Sequence, residues 1–168
     1  ANYGLQYSIT GDRGGHASLL FGQSLQVAGR NSYAKADIIN TGLDSGLESR
    51  RSDYVGRISV SPFSALSFTA RGRFDERTFA LRRIEMGANA SFGALGLSSV
   101  YARIGAQPNI GYQFRREGWL NTAKLQLPNN WYVSGSLLLD MDRYLRERAN
   151  HLADPVTYPT YNNSPFRV

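Results

Sequence analysis

The chain has 168 residues, enough for one ordinary domain, and is 42% hydrophobic with 10 Tyr, 17 Gly and 6 Pro, a mixture that suits pleated sheets better than helical bundles. It has no Cys, which excludes disulfides and thiolate metal sites, and its formal net charge of +6 is compatible with nucleic acid, an anionic lipid surface or an anionic polymer without choosing among them. No stretch approaches the roughly 20 apolar residues of a transmembrane helix, and the opening ANYGLQYSIT lacks the basic start and apolar core of a signal peptide. Membrane β-barrels are untouched by that exclusion, because their alternating strands average out in hydropathy.

A period of two resolves the chain into about eight strands, near 3–10, 15–27, 52–60, 64–74, 83–92, 95–104, 117–127 and 131–142. In the first, Tyr3, Leu5, Tyr7 and Ile9 oppose Gly4, Gln6 and Ser8. The second has Ala17, Leu19, Phe21, Leu25 and Val27 on one face, interrupted by Gln23. The third sets Tyr54, Gly56, Ile58 and Val60 against Arg57 and Ser59. The fourth alternates most clearly: Leu66, Phe68, Ala70, Gly72 and Phe74 face one way, and Ser67, Thr69, Arg71, Arg73 and Asp75 the other. The fifth repeats this, with Ile84, Met86, Ala88, Ala90 and Phe92 opposite Glu85, Gly87, Asn89 and Ser91. The sixth has two faces that are hard to rank, and the seventh is mixed, with Thr122, Lys124 and Gln126 on its polar side. In the eighth, Trp131, Val133, Gly135, Leu137, Leu139 and Met141 oppose Ser134, Ser136, Asp140 and Asp142.

Soluble strands usually run about 5–6 residues, whereas a barrel strand that spans a bilayer needs about 9–11. The connections add a second pattern. Short turns at 11–15, 61–64, 92–95 and 127–130 alternate with longer or more polar segments at 28–51, 75–83, 105–116 and 143–168. In an antiparallel meander, every second connection lies at the same end. One end would then carry tight turns and the other long loops, as in outer-membrane barrels. Alternation alone fits a half-buried strand of a soluble β-sandwich equally well. Strand length and loop asymmetry favour the barrel. Tyr54, Tyr101, Trp119, Trp131 and Tyr132, near strand ends, are where an interfacial aromatic girdle would lie.

Catalytic chemistry finds little support. The two histidines, His16 and His151, have no nucleophile or orienting carboxylate assigned to them by any motif. GDRGG (11–15) lies between two alternating runs, which makes it a hairpin turn rather than a phosphate-cradling loop. Asp140 and Asp142 are too few for a Ca²⁺ site and read better as strand-face carboxylates paired with arginines of a neighbour. A sheet that binds single-stranded nucleic acid wants cations and aromatics on one face. Here Arg71 and Arg73 oppose Phe68 and Phe74, so nucleic acid is not an expected partner.

The stretch LESRRSDYVGRISVSPFSALSFTARGRFDERTFALRRIEMGANASFG, with YARIGAQP, RREGWL, NWYVSGSLLLDMDRYL and a late SPF, resembles the C-terminal barrel of the lipopolysaccharide-assembly protein LptD family (organic solvent tolerance protein, OstA) in its alphaproteobacterial style. The resemblance covers nearly the whole chain. It implies an all-β fold: an antiparallel up-and-down meander forming part of a transmembrane β-barrel in the outer membrane of a Gram-negative cell. It further implies a translocon rather than an enzyme, without cofactors, inserting lipopolysaccharide into the outer leaflet. Implied partners are lipopolysaccharide, outer-membrane lipid, an LptE-like lipoprotein plug, and a periplasmic bridge protein reached through a domain outside this chain. The gate strands and linking cysteines of the family are also expected outside residues 1–168.

On this reading the lumen-facing residues are Arg57, Arg71, Arg73, Glu85, Asn89 and Lys124, lining a polar interior for the saccharide or the plug, or forming structural ion pairs. The lipid-facing residues are Leu66, Phe68, Phe74, Ile84, Met86, Leu137 and Leu139. Arg77, Arg82 and Arg83 fall in an outer loop region near lipopolysaccharide headgroups. The competing expectations are a complete eight-stranded outer-membrane barrel of adhesin or structural type, and a soluble β-sandwich binding an anionic partner.

Overall fold

The computed structural model describes residues 1–12, 14–35, 43–157 and 166–167. The parts of the long segments 28–51 and 143–168 at 36–42, 158–165 and 168 lie outside the described residues, as do Arg13 and most of the late SPF. The chain forms one antiparallel sheet with strands in sequence order. The strands are β1 (Asn2–Thr10), β2 (His16–Ser24), β3 (Tyr54–Phe63), β4 (Leu66–Phe74), β5 (Leu81–Phe92), β6 (Leu95–Ile104), β7 (Arg116–Gln126), β8 (Tyr132–Asp140) and a two-residue β9 (Phe166–Arg167). β1–β8 are 9–12 residues long. One helix, α1 (Met141–Ala153), follows β8. Among the described residues no helix is long and apolar enough to cross a membrane.

Register fixes the faces, because directly paired residues share a face and neighbours along a strand alternate. One row across the sheet is Gln6, Leu20, Arg57, Arg71, Glu85, Ala102, Gly118 and Asp140. The adjacent row, one residue along each strand, includes Tyr7, Leu19, Ile58, Ala70, Met86, Tyr101, Trp119 and Leu139. The first row belongs to a mainly polar face and the second to a mainly apolar one. Leu5 (67% exposed), Ile58 (50%), Phe68 (45%) and Val133 (60%) all project from the apolar face. Among the described residues no hydrophobic side chain is buried.

A β-sandwich requires a second sheet packed on the first, and there is none among the described residues. Among the described residues β1 pairs with β2 and no strand pairs on its other side, so the eight long strands do not close on one another. Both competing architectures are thereby set aside.

The turns 11–15, 64–65, 93–94 and 127–131 lie at one end of the sheet, and 25–53, 75–80, 105–115 and α1 at the other. Several boundaries differ from the sequence reading. β2 stops at Ser24, not Val27. At that end Gln23 Nε2 donates to Ser52 O at 2.7 Å and Ser24 N donates to Ser52 Oγ at 2.8 Å, tying the strand end to the loop. β5 begins at Leu81, because a register shift after Arg73 pairs Phe74 with Leu81 and leaves Arg82 as the extra residue. The eighth strand ends at Asp140, whose side chain accepts from Arg143 N and caps α1, so 143–168 begins as helix rather than loop.

Close approach explains one pair of glycines. Gly4 and Gly22 face each other in β1–β2, and a Cβ on Gly4 would stand 2.5 Å from Phe21 O and 2.9 Å from Gly22 Cα. Only a backbone shift could relieve that clash. Gly4→Val is therefore expected to destabilise the folded sheet by about 1–3 kcal/mol in denaturant titration in detergent. Gly135→Ala, whose Cβ meets nothing within 4 Å, is expected to stay within about 0.5 kcal/mol. Equal effects would contradict the β1–β2 register.

Candidate functional site

All six residues expected in a lumen lie on the polar face. Arg57, Arg71 and Glu85 occupy one row. Arg73 stands in the row of Val55, Arg83, Ile104 and Arg116. Asn89 pairs with Ser67 and Ser98, and Ser98 with Thr122, toward the turn end. Lys124 is nearer still to that end, with Nζ 4.5 Å from the Tyr132 ring centroid. The face is not uniformly polar: Leu20, Val55, Val100, Leu120 and Leu138 also project from it.

The arginines on this face differ in their partners. Arg83 donates through Nε and Nη2 to Glu85 Oε1, two residues along the same strand. Arg73 Nε sits 3.3 Å from Asp53 Oδ2, an ion-pair distance. Its Nη1 and Nη2 donate to the carbonyls of Ser45 and Asp44, the latter at 2.9 Å. Arg57 and Arg71, directly opposite each other, have neither an ion pair nor a hydrogen bond among the described residues.

Arg73 thereby fastens part of the long 25–53 connection over the loop end of the polar face. Asp53 N donates to Gly46 O at 2.7 Å, and Glu76 N to Asp53 Oδ1 at 3.2 Å. Burial pushes the Asp53 carboxyl above its ordinary range, and Arg73 beside it pulls the other way. The same strap reaches the 105–115 loop: Asn109 N and Nδ2 donate to the Asp44 carboxylate at 3.2 and 3.1 Å. Gln107 Nε2 donates to Asp44 O at 3.3 Å, while Gln107 Oε1 accepts from Arg116 Nη2. Sequence patterning gave no sign of this clasp, because its partners are far apart in the chain and most acceptors are backbone carbonyls.

The tight β4–β5 connection is organised by Asp75. Its Oδ1 accepts from Arg77 N at 3.0 Å and from Thr78 N and Oγ1 at 2.9 Å, while Oδ2 accepts from Arg82 Nη2 at 2.6 Å. Arg82, then these donors, hold the carboxyl well below the usual aspartate range. The outer-loop assignment of three arginines needs correction. Only Arg77 lies in the connection, beside Glu76 at 3.5 Å; Arg82 and Arg83 open β5. Asp140 and Asp142 differ in part from the expected strand-face carboxylates, since Asp142 does pair with an arginine but from a helix. Asp140 is a helix cap, and Asp142, nearly buried in the first turn of α1, pairs with Arg115 Nε at 3.2 Å. His16 opens β2 with Nδ1 3.4 Å from Thr10 Oγ1, and His151 lies in the last turn of α1.

The seven residues expected to face lipid share the apolar face. Leu66, Phe68, Ile84, Met86, Leu137 and Leu139 lie in its cross-strand rows, and Phe74 pairs with Tyr54 at the loop end. There Phe21 stacks on Tyr54 at 5.6 Å and Phe79 on Phe74 at 5.0 Å, forming one aromatic cluster. The paired Gly56 and Gly72 beneath these rings leave them room. Tyr132 belongs to the polar face instead, and Trp131 to a turn.

A polar patch interrupts the apolar face on β6–β7: Tyr101 donates to Glu117 Oε1 at 2.8 Å, Trp119 Nε1 to Ser99 Oγ at 2.7 Å, and Ser99 Oγ to Asn121 Oδ1 at 2.8 Å. Strands whose two faces rank alike in hydropathy could not have disclosed it.

Residues 1–131 match the family model described as LptD, LPS transport system D. The chain belongs to the LptD family. This connects the LptD-family chain to lipopolysaccharide transport, in a family of transport proteins rather than enzymes. Neither the comparison with curated proteins nor that with solved structures returns a match.

The Asp75 turn of this LptD-family chain should respond to acid. A lowered carboxyl pKa contributes stability that is present above the ordinary aspartate range and lost as pH falls through the folded value. After correction for intrinsic rates, protection of the Thr78 amide from hydrogen exchange should decline below about pH 4. Asp75→Ala should abolish that protection at neutral pH. Unchanged protection in the variant would contradict the assigned hydrogen bonds.

Proposed function

We propose that this LptD-family segment is part of the wall of an outer-membrane β-barrel that inserts lipopolysaccharide into the outer leaflet. The observation that carries the reading is a single uncovered sheet whose 9–12-residue strands project large apolar side chains from one face. Contiguous apolar surface on this scale calls for a partner phase. Strands of about 9–11 residues suit a bilayer core, and the aromatic cluster at the loop end suits its interface.

In this arrangement the apolar face meets lipid and the polar face lines the lumen. Reversing the faces would place Arg57 and Arg71 toward acyl chains, at about 2–4 kcal/mol for an arginine at the midplane. The turn end faces the periplasm, and the strap and longer loops face outward. The unpaired outer edge of β1 is completed by further strands, since an exposed edge invites pairing. An LptE-like plug would meet the polar face, and the periplasmic bridge protein would act through another domain.

Single cysteines at Arg71 and Arg73, in membrane-reconstituted protein, are expected to react with water-soluble thiol reagents. Cysteines at Phe68 and Ala70 should respond to lipid-phase probes and resist the aqueous reagent. The reverse pattern would overturn the assignment of faces.

A further inference from the structure

We infer that Arg57 and Arg71 form a two-arginine site for a phosphate-class anion on the polar face. The inference rests on the proposed water-facing side of the sheet and names a ligand chemistry for it.

The first observation is an electrostatic imbalance. Arg57 and Arg71 are directly opposed on β3 and β4, and like charges in that position repel. The obvious neutraliser fails. Glu85 lies directly across from Arg71 on β5, yet its Oε1 is taken by Arg83. On the other side, Arg57 faces Leu20. Arg73, the next cation along β4, is committed to Asp53 and two carbonyls of the strap. Two guanidiniums are thus left side by side with neither an ion pair nor a hydrogen bond among the described residues, and the carboxylate nearest in register, Glu85, is engaged by Arg83.

The second observation is the surrounding shape. Arg57, Arg71 and Arg73, with Leu20, Val55 and Glu85, help line an open hollow of about 300 Å³. Directly opposed Cβ atoms are about 4.5–5.5 Å apart, so two forks from such positions can converge on one tetrahedral oxyanion. The next polar row toward the turn end carries Ser59 and Thr69, with their hydroxyls 2.9 Å apart. Whichever hydroxyl accepts in that pair keeps its own proton and can donate it to a ligand. Thr69 pairs on its other side with Gly87, which has no side chain to block the approach. Leu20 and Val55 give the hollow one apolar flank.

A phosphate of a glycolipid headgroup and a free phosphate ion share this chemistry. Arginine-directed modification by phenylglyoxal, read by mass spectrometry on the full chain in detergent micelles, tests the site. Arg57 and Arg71 are expected to be modified without phosphate and protected by inorganic phosphate, while exposed Arg77 reacts equally in both conditions. Arg57→Gln/Arg71→Gln should weaken phosphate binding by about tenfold or more, with Arg77→Gln within about twofold. Arg71→Lys should recover only part of the loss, because an ammonium lacks the fork. Protection by a bis-phosphorylated glycolipid, but not by its dephosphorylated form, assigns the site to a headgroup. Protection by inorganic phosphate alone assigns it to a small ion.

Modification without protection, or an equal loss in Arg77→Gln, overturns the site and leaves the assignment of faces standing. No modification of either arginine in folded protein overturns both. The protection measurement uses the wild-type chain, so misfolding of a variant cannot decide the outcome.

Discussion

An apolar side chain on a single-layered sheet has no protein interior to enter. That constraint governs the rest of this structure. Antiparallel pairing runs along every neighbouring pair from β1 to β8, with register shifts at Val60/Phe63 and Arg73/Phe74, so the strand ladder holds without a core. Side-chain burial is then left to whatever covers each face. Register decides which residues share that fate, and a one-residue slip of any strand would exchange its two faces. The paired Gly4 and Gly22 lock such a register by close backbone approach, and the Gly56–Gly72 pair does so by making room for rings.

The two ends of the sheet are built differently, and the difference is electrostatic as much as it is one of length. The turn end closes with short connections. The loop end is held by arginine: Arg73 to the strap, Arg82 to Asp75, and Arg115 to Asp142. The Arg73 and Arg115 pairs join segments remote in sequence, whereas Arg82 and Asp75, seven residues apart, close the single β4–β5 connection. Arg57 and Arg71 stand apart from them, with their charge directed at open space above the sheet.

Much of this was legible in period-two alternation. On β3, β4 and β5 the alternation of Arg57, Arg71, Arg73, Glu85 and Asn89 with large apolar residues was unambiguous, and family resemblance supplied the context. The failures have specific causes. Leu25 and Val27 continue the alternation of β2, but past Ser24 the pairing thins to an isolated bridge between Leu25 and Arg51. Met141 continues that of β8, but Asp140 caps a helix in its place. Asp142 then pairs with Arg115 from within that helix. The patch of Ser99, Tyr101, Glu117, Trp119 and Asn121 lies on strands with no strong hydropathic contrast, so only tertiary register reveals it.

The central claim is that the apolar face meets a hydrocarbon phase, and Trp119 is a native reporter of it. Its ring projects from that face in the row of Met86 and Leu139. With Trp131 replaced by Phe, Trp119 becomes the only indole. Fluorescence of the protein reconstituted in vesicles should be quenched by lipids brominated on their acyl chains and resist aqueous acrylamide. Strong acrylamide quenching, with brominated lipids without effect, would contradict the account.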